Sequence, residues 1–202
     1  MNFATSLALC ATAFGLWAPA QAANVQVHVL DASGKPLSDA VVFLESKDAK
    51  AAVKPAREAA IAQVGKEFTP RVTVVPVGTA VDFPNRDKVR HHVYSFSPAK
   101  NFELKLYAGT PATPVVFDRA GVAVLGCNIH DNMIAWVVVV DTPYYGRSAA
   151  DGHVQLSGVP EGSYRLRVWH TDLASGAAPS DQPIDIVATG SAASVRLRES
   201  KK

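Results

Sequence analysis

Cysteine and methionine are nearly missing from this chain. Among 202 residues there are two of each: Cys10 and Cys127, Met1 and Met133. An excess of one charge is missing as well, because 20 Lys and Arg stand against 18 Asp and Glu, a formal net charge of +2. Nothing in that balance points to nucleic acid or to an anionic membrane. Long apolar runs are absent except near the start, where residues 1–22 carry no charged side chain and Leu7 to Trp17 is apolar. A membrane-spanning helix needs about 20 apolar residues, more than this run offers. Ala20-Gln21-Ala22 then supplies a small-x-small cleavage site, so residues 1–22 read as a cleaved export signal. The mature protein is expected to be periplasmic or secreted, with no membrane span.

Removing the signal sharpens the scarcity. Cys127 becomes the only cysteine and Met133 the only methionine. No disulfide can form within the mature chain, although export would permit one. A lone thiol in an oxidising compartment is a liability, and serving as a metal ligand is one reason to keep it.

The mature chain reads as all-β. Val25, Val27 and Val29 alternate with Gln26 and His28, the period-2 pattern of a strand. Asp31 to Pro36 is turn-like, and Ala40 to Leu44 is a second strand. Residues 46–60, rich in Ala and Lys with Pro55, suggest a loop or a short helix. Strands return from Phe68: Val72 to Val75, Ala80 to Phe83, His92 to Phe96, Phe102 to Tyr107, Pro114 to Phe117 and Val122 to Leu125. Ile134 to Val140 is continuously apolar, as in a strand buried on both faces. Tyr164 to Trp169, Ile184 to Val187 and Ser194 to Arg198 close the chain. Many short strands separated by turns make a sandwich or barrel.

One constellation carries chemistry: Cys127-Asn128-Ile129-His130-Asp131-Asn132-Met133. A thiolate, an imidazole and a thioether fall within seven residues, a donor set suited to copper. Each residue alone is more often structural; their coincidence is not. A Cys–His nucleophile pair fits less well, because no third group is placed to orient the histidine. Structural zinc fits less well too, since a thioether is not among its usual ligands. The second histidine comes from His91-His92. Strand alternation puts the larger hydrophobes, Tyr94 and Phe96, on the side of His92, whereas His91 shares a face with Val93 and Ser95. A bulge beside the site would let either histidine turn inward. His28, His153 and His170 read as ordinary strand-end or surface histidines.

Residues 68–140 resemble a cupredoxin of the plastocyanin–amicyanin type. The resemblance is carried in order by Phe68-Thr69-Pro70, Val77-Gly78-Thr79, Val81 to Asn85, His91-His92-Val93, Phe117 to Gly121 and the Cys127–Met133 loop. It implies a Greek-key β-sandwich with one type 1 copper, bound by His91, Cys127, His130 and Met133. His91 is favoured because the family's histidine follows its strand-ending asparagine, here Asn85, by six residues. His92 then stands where the family has an asparagine tying the two ligand loops together. Prolines usual in the ligand loop and aromatics usual before the cysteine are replaced here by Asn128, Ile129, Asp131, Asn132 and Val122 to Leu125. The whole chain is also similar to exported proteins labelled methylamine utilization proteins. Val27 to Leu44, and Asp151 to Leu166, resemble the two ends of a carboxypeptidase-regulatory-like sandwich. A cupredoxin domain at 56–142 would then be inserted between halves at 23–55 and 143–202. The implied role is one-electron transfer with a redox partner such as a c-type cytochrome or dehydrogenase, not catalysis; a copper carrier or sensor needs the same ligands.

Overall fold

A computed structural model describes residues 22–174 and 176–197. The export signal expected over 1–22 falls, Ala22 apart, outside the described residues, and so do Met1, Cys10 and Arg198. Among the described residues there are sixteen strands and a single six-residue helix, so the protein is all-β. In chain order they are β1 (Ala22–Leu30), β2 (Val41–Glu45), α1 (Lys47–Ala52), β3 (Ala62–Val64), β4 (Glu67–Thr69), β5 (Val72–Pro76), β6 (Thr79–Val81), β7 (His91–Ser97) and β8 (Lys100–Tyr107). There follow β9 (Val115–Phe117), β10 (Gly121–Gly126), β11 (Ile134–Val140), β12 (Tyr145–Arg147), β13 (His153–Pro160), β14 (Gly162–Trp169), β15 (Ser180–Ile186) and β16 (Ser191–Arg196). No described helix is long and apolar enough to cross a membrane.

The strands form three main sheets, ordered β13-β1-β16, β12-β2-β14-β15 and β5-β11-β10-β7-β8, with β3-β4 and β6-β9 as separate pairs. Three apolar clusters lie among them. The first joins Val25, Val27 and Val29 of β1 to Val42 and Leu44 of β2 and to Leu166 and Val168 of β14. The second holds Phe83, Val93, Phe117, Leu125, Val137 and Val139 together with Cys127 and Met133. The third sets Val41, Phe43 and Trp169 against Val72, Val138 and Val140.

These clusters explain the sequence pattern. β1 alternates because only one face meets a core: its valines are fully buried while Asn24 and Gln26 are exposed. β2 and β11 do not alternate because each lies between two clusters. Val42 and Leu44 face the first cluster and Val41 and Phe43 the third; Val137 and Val139 face the second and Val138 and Val140 the third. The expected burial of β11 on both faces thus holds from Val137 onward, whereas Ile134, at the mouth of the ligand loop, is 41% exposed. α1 occupies part of the Ala- and Lys-rich stretch, its first turn closed by Ala49 N–H donating to Ser46 Oγ at 3.1 Å.

The β3-β4 hairpin was not foreseen. Its strands are three residues long, too short for periodicity to register. Its turn is Gly65-Lys66, both at positive φ of about +60°, the geometry that matches the twist of paired strands.

Gly152 is required by geometry. It sits at φ +75°, and a Cβ there would lie 2.5 Å from the Val29 carbonyl oxygen. The two strands are stitched at that point by Val29 N–H donating to Gly152 O at 2.8 Å. Gly152→Ala is expected to destabilise the protein by about 2–4 kcal/mol, combining the left-handed penalty with a forced backbone shift. Urea denaturation followed by circular dichroism measures it; an unchanged midpoint contradicts the expectation.

Candidate metal centre

Two elements of the five-stranded sheet deliver the site. β7 begins with His91, and β10 ends at Gly126, one residue before Cys127. The loop 127–133 then returns to β11 through a tight turn in which Met133 N–H donates to His130 O and Ile134 N–H to Asn132 O, both at 3.0 Å. Cys127 is 4% exposed, Met133 1% and His91 0%, while His130 is half-buried. The ligand atoms of His91, Cys127 and His130 all lie within 4.8 Å of one another. His91 Nδ1 is 3.9 Å from Cys127 Sγ, and the two imidazole rings are 5.2 Å apart at 59°.

His91 is oriented from behind. Its Nε2 lies 2.8 Å from Asp87 Oδ2. Asp87 is itself gripped by the hairpin turn, accepting from Gly65 N–H at 2.7 Å and Lys66 N–H at 2.9 Å. The Lys66 amide above all, then the His91 and Gly65 hydrogen bonds, hold the Asp87 carboxyl below the usual carboxylate range against the opposing effect of burial. An ionised Asp87 accepts a hydrogen bond from Nε2–H, which keeps the ring proton on Nε2 and leaves the Nδ1 lone pair of His91 toward Cys127. Asn85 fixes the same loop: its amide donates to Val89 O at 2.8 Å and Tyr107 O at 2.9 Å, and its Oδ1 accepts from Asp87 N–H. Beside it the Tyr107 hydroxyl donates to Phe83 O at 2.7 Å, and burial pushes that phenol up to about 12.

The donors fit a soft or borderline cation. Two nitrogens or a nitrogen and a sulfur sharing one tetrahedral ion stand ~3–4 Å apart, given bonds of about 2.0–2.3 Å, and these atoms are already gathered within 4.8 Å. A second observation agrees: His130 Nδ1 is sealed from solvent with no hydrogen-bond partner. A buried polar atom left unpaired costs about 1–3 kcal/mol, unless something else occupies its lone pair. Among the described residues this is the one group of three or more His, Cys, Asp or Glu side chains so gathered.

His91 and His92 are placed differently. On β7 His91, Val93 and Ser95 are buried, whereas His92 and Tyr94 are half-buried and Phe96 is 72% exposed. The aromatic residues expected to mark the inner face lie on the outer one; Tyr94 covers Gly126 across the sheet, where a Cβ would come 2.6 Å from its ring. A bulge is present, but on β8. His91 pairs with Tyr107 and Val93 with Leu104, so the extra residue lies on the partner strand. His92 points away from the thiol. Its Nδ1 is 3.3 Å from Asn128 Nδ2, and its Nε2 is 2.9 Å from Glu103 Oε1, an ion-pair separation off the hydrogen-bond direction. Sequence reading missed Asp87, although a carboxylate four residues before a candidate ligand was the available signal.

No protein-family model matches the chain, and no curated protein sequence matches it. Solved structures do. A purple cupredoxin from Nitrosopumilus maritimus is 25% identical over 41% of this chain and all of its own length, with a TM-score of 0.36. An amicyanin variant in its reduced Cu(I) form is 22% identical over 49% of this chain and 98% of its own, with a TM-score of 0.37. A copper-containing nitrite reductase from Thermus scotoductus is 22% identical over 56% of this chain, with a TM-score of 0.39, and the match spans 28% of the reductase. Likenesses this weak transfer no function; the donor geometry stands without them.

Three substitutions test the geometry directly. His91→Ala is expected to abolish a thiolate-to-metal charge-transfer band, and His92→Ala to keep it; the reverse result reassigns the ligand. Asp87→Ala is expected to weaken metal binding about 10–100-fold by releasing the His91 ring, measured by competition with a chelator.

Proposed function

We propose that His91, Cys127 and His130 hold one copper ion with Met133 as a weak axial donor, and that the protein transfers single electrons without being an enzyme. The observation that carries this reading is the meeting of one buried thiol with two imidazoles, one oriented by Asp87 and the other with a buried, unpartnered Nδ1. Copper in such a donor set supplies reversible one-electron chemistry between Cu(I) and Cu(II).

The chain's own residues define the rest. Cys127 provides the soft, covalent donor. Asp87 and the Gly65-Lys66 turn hold His91 so that little can relax when the charge at the site changes. Phe83, Leu125 and Phe117 keep the inner side dry. His130 lies at the rim beside Ile129, which is 48% exposed, so this end is the one a redox partner would approach. A c-type cytochrome or a dehydrogenase is the partner we propose, met in the periplasm or outside the cell. We further propose that 56–142 is a cupredoxin domain inserted between sandwich halves at 23–55 and 143–202. The separation of the first and second apolar clusters supports that division.

The copper-loaded protein is expected to be coloured by thiolate-to-Cu(II) charge transfer, read by visible absorption and electron paramagnetic resonance. Cys127→Ser is expected to remove the colour and most of the affinity. Met133→Leu is expected to keep the colour and raise the midpoint potential; loss of copper instead would refute the axial role. Fast, reversible exchange with a c-type cytochrome supports electron transfer, whereas slow exchange with ready release to a chelator means carriage.

A further inference from the structure

Two histidines that look unremarkable in sequence face each other in the fold. β1 and β13 pair antiparallel with His28 directly opposite His153. Their rings stack 4.2 Å apart at an interplanar angle of 5°. They lie on the outer side of β1, opposite the fully buried Val25, Val27 and Val29. His28 is half-buried, and its Nε2 is closed off from solvent with no hydrogen-bond partner.

The neighbour of the pair is Asp151. Its Oδ1 accepts from His153 N–H at 3.0 Å, its carbonyl oxygen lies 3.2 Å from His153 Nδ1, and its Oδ2 lies 3.5 Å from the same nitrogen. That backbone N–H, with smaller help from both imidazoles, holds the Asp151 carboxyl below its ordinary range. Asp151 therefore stays ionised and draws the His153 proton to Nδ1, which leaves Nε2 of His153 with a free lone pair. Both histidines then offer an unengaged Nε2 on opposed positions of one sheet, beside a fixed negative charge.

We propose that His28 and His153 form a second metal site, with Asp151 as its positioning residue, for a divalent transition ion such as Zn(II) or Cu(II). Two nitrogens on one tetrahedral ion stand ~3.4 Å apart at bond lengths of about 2.0–2.1 Å. Rings stacked at 4.2 Å are near that separation but parallel, so the stack must open by rotation of the imidazoles until the two lone pairs converge. Opening the stack gives up the ring–ring contact, which the two metal bonds must outweigh. Water completes the coordination, because His153 is 56% exposed and the site is open on that side. Imidazole is suited to zinc and copper alike. The proposal is independent of the centre around Cys127 and uses none of its residues.

The test is Zn(II) titration by calorimetry on the full chain and on its Cys127→Ser/His130→Ala variant, which lacks two donors of the other centre. One equivalent is expected to remain bound in that variant. Adding His28→Gln or His153→Gln, which keep size and polarity, is expected to weaken it at least about tenfold, while His170→Gln leaves it unchanged. Cu(II) in place of Zn(II) should give a paramagnetic resonance spectrum with two coupled nitrogens. The absence of any equivalent in the double variant overturns the proposal, as does binding that survives both glutamine substitutions. Thermal melting of each variant establishes that the sheet is intact.

Discussion

The sheet built on β2 and β14 is apolar on its inner face and over the part of its outer face formed by Val41, Phe43 and Trp169, and neither the terminal strands nor the middle ones can cover both alone. Its inner face meets β1, and its outer face presents Val41, Phe43 and Trp169 to Val72, Val138 and Val140. Each such side chain removed from water contributes about 1.5–3 kcal/mol, so exposing either face would be prohibitive. The consequence reaches the candidate centre through β11. That strand is clamped between the outer face of this sheet and the second cluster, and the ligand loop is rooted in it. Because both of its faces are apolar, hydrophobicity alone does not fix its register. Size does: Ala135 fits the fully buried side, where Trp136 could not, and Trp136 instead spreads beside Trp169 with Arg71 stacked on it at 5.1 Å.

Rigidity at the centre therefore has two sources. The Cys127–Met133 loop is held at its stem by packing and closed on itself by the Met133–His130 backbone bond. His91 is held by polarity, in a relay from hairpin amides to carboxylate to ring. The two supports come from different parts of the chain, β3-β4 and β10-β11, and converge on the site. An arrangement of this kind holds the donors in place, which is what the proposed electron-transfer role requires.

Much of the architecture was legible because burial leaves a period in the sequence. Val25, Val27 and Val29 declared a one-sided strand, and the unbroken run to Val140 declared a two-sided one. The cluster of Cys127, His130 and Met133 was legible because the residue types are scarce and close in sequence. What was not legible had no local signature. Tyr94 and Phe96 look like core residues but line an outer face, where Tyr94 fills the space above Gly126. Asp87 acquires its role only when a three-residue hairpin brings the Gly65 and Lys66 amides to it. His28 and His153 become a pair only through strand register, a relation between distant segments that no spacing rule contains.

β1 has one further property. It sits in the middle of its sheet, antiparallel to β13 on one side and parallel to β16 on the other, with Val25 opposite Ser191 and Leu30 opposite Arg196. Among the described residues the first strand is thus bonded to the last. Contacts of such long sequence separation make folding slow, because the loop must close before pairing rewards it. A chain made from its N-terminus leaves the β16 side of β1 unpaired until Ser191 to Arg196 arrive, and that bare strand edge is exposed to aggregation until then.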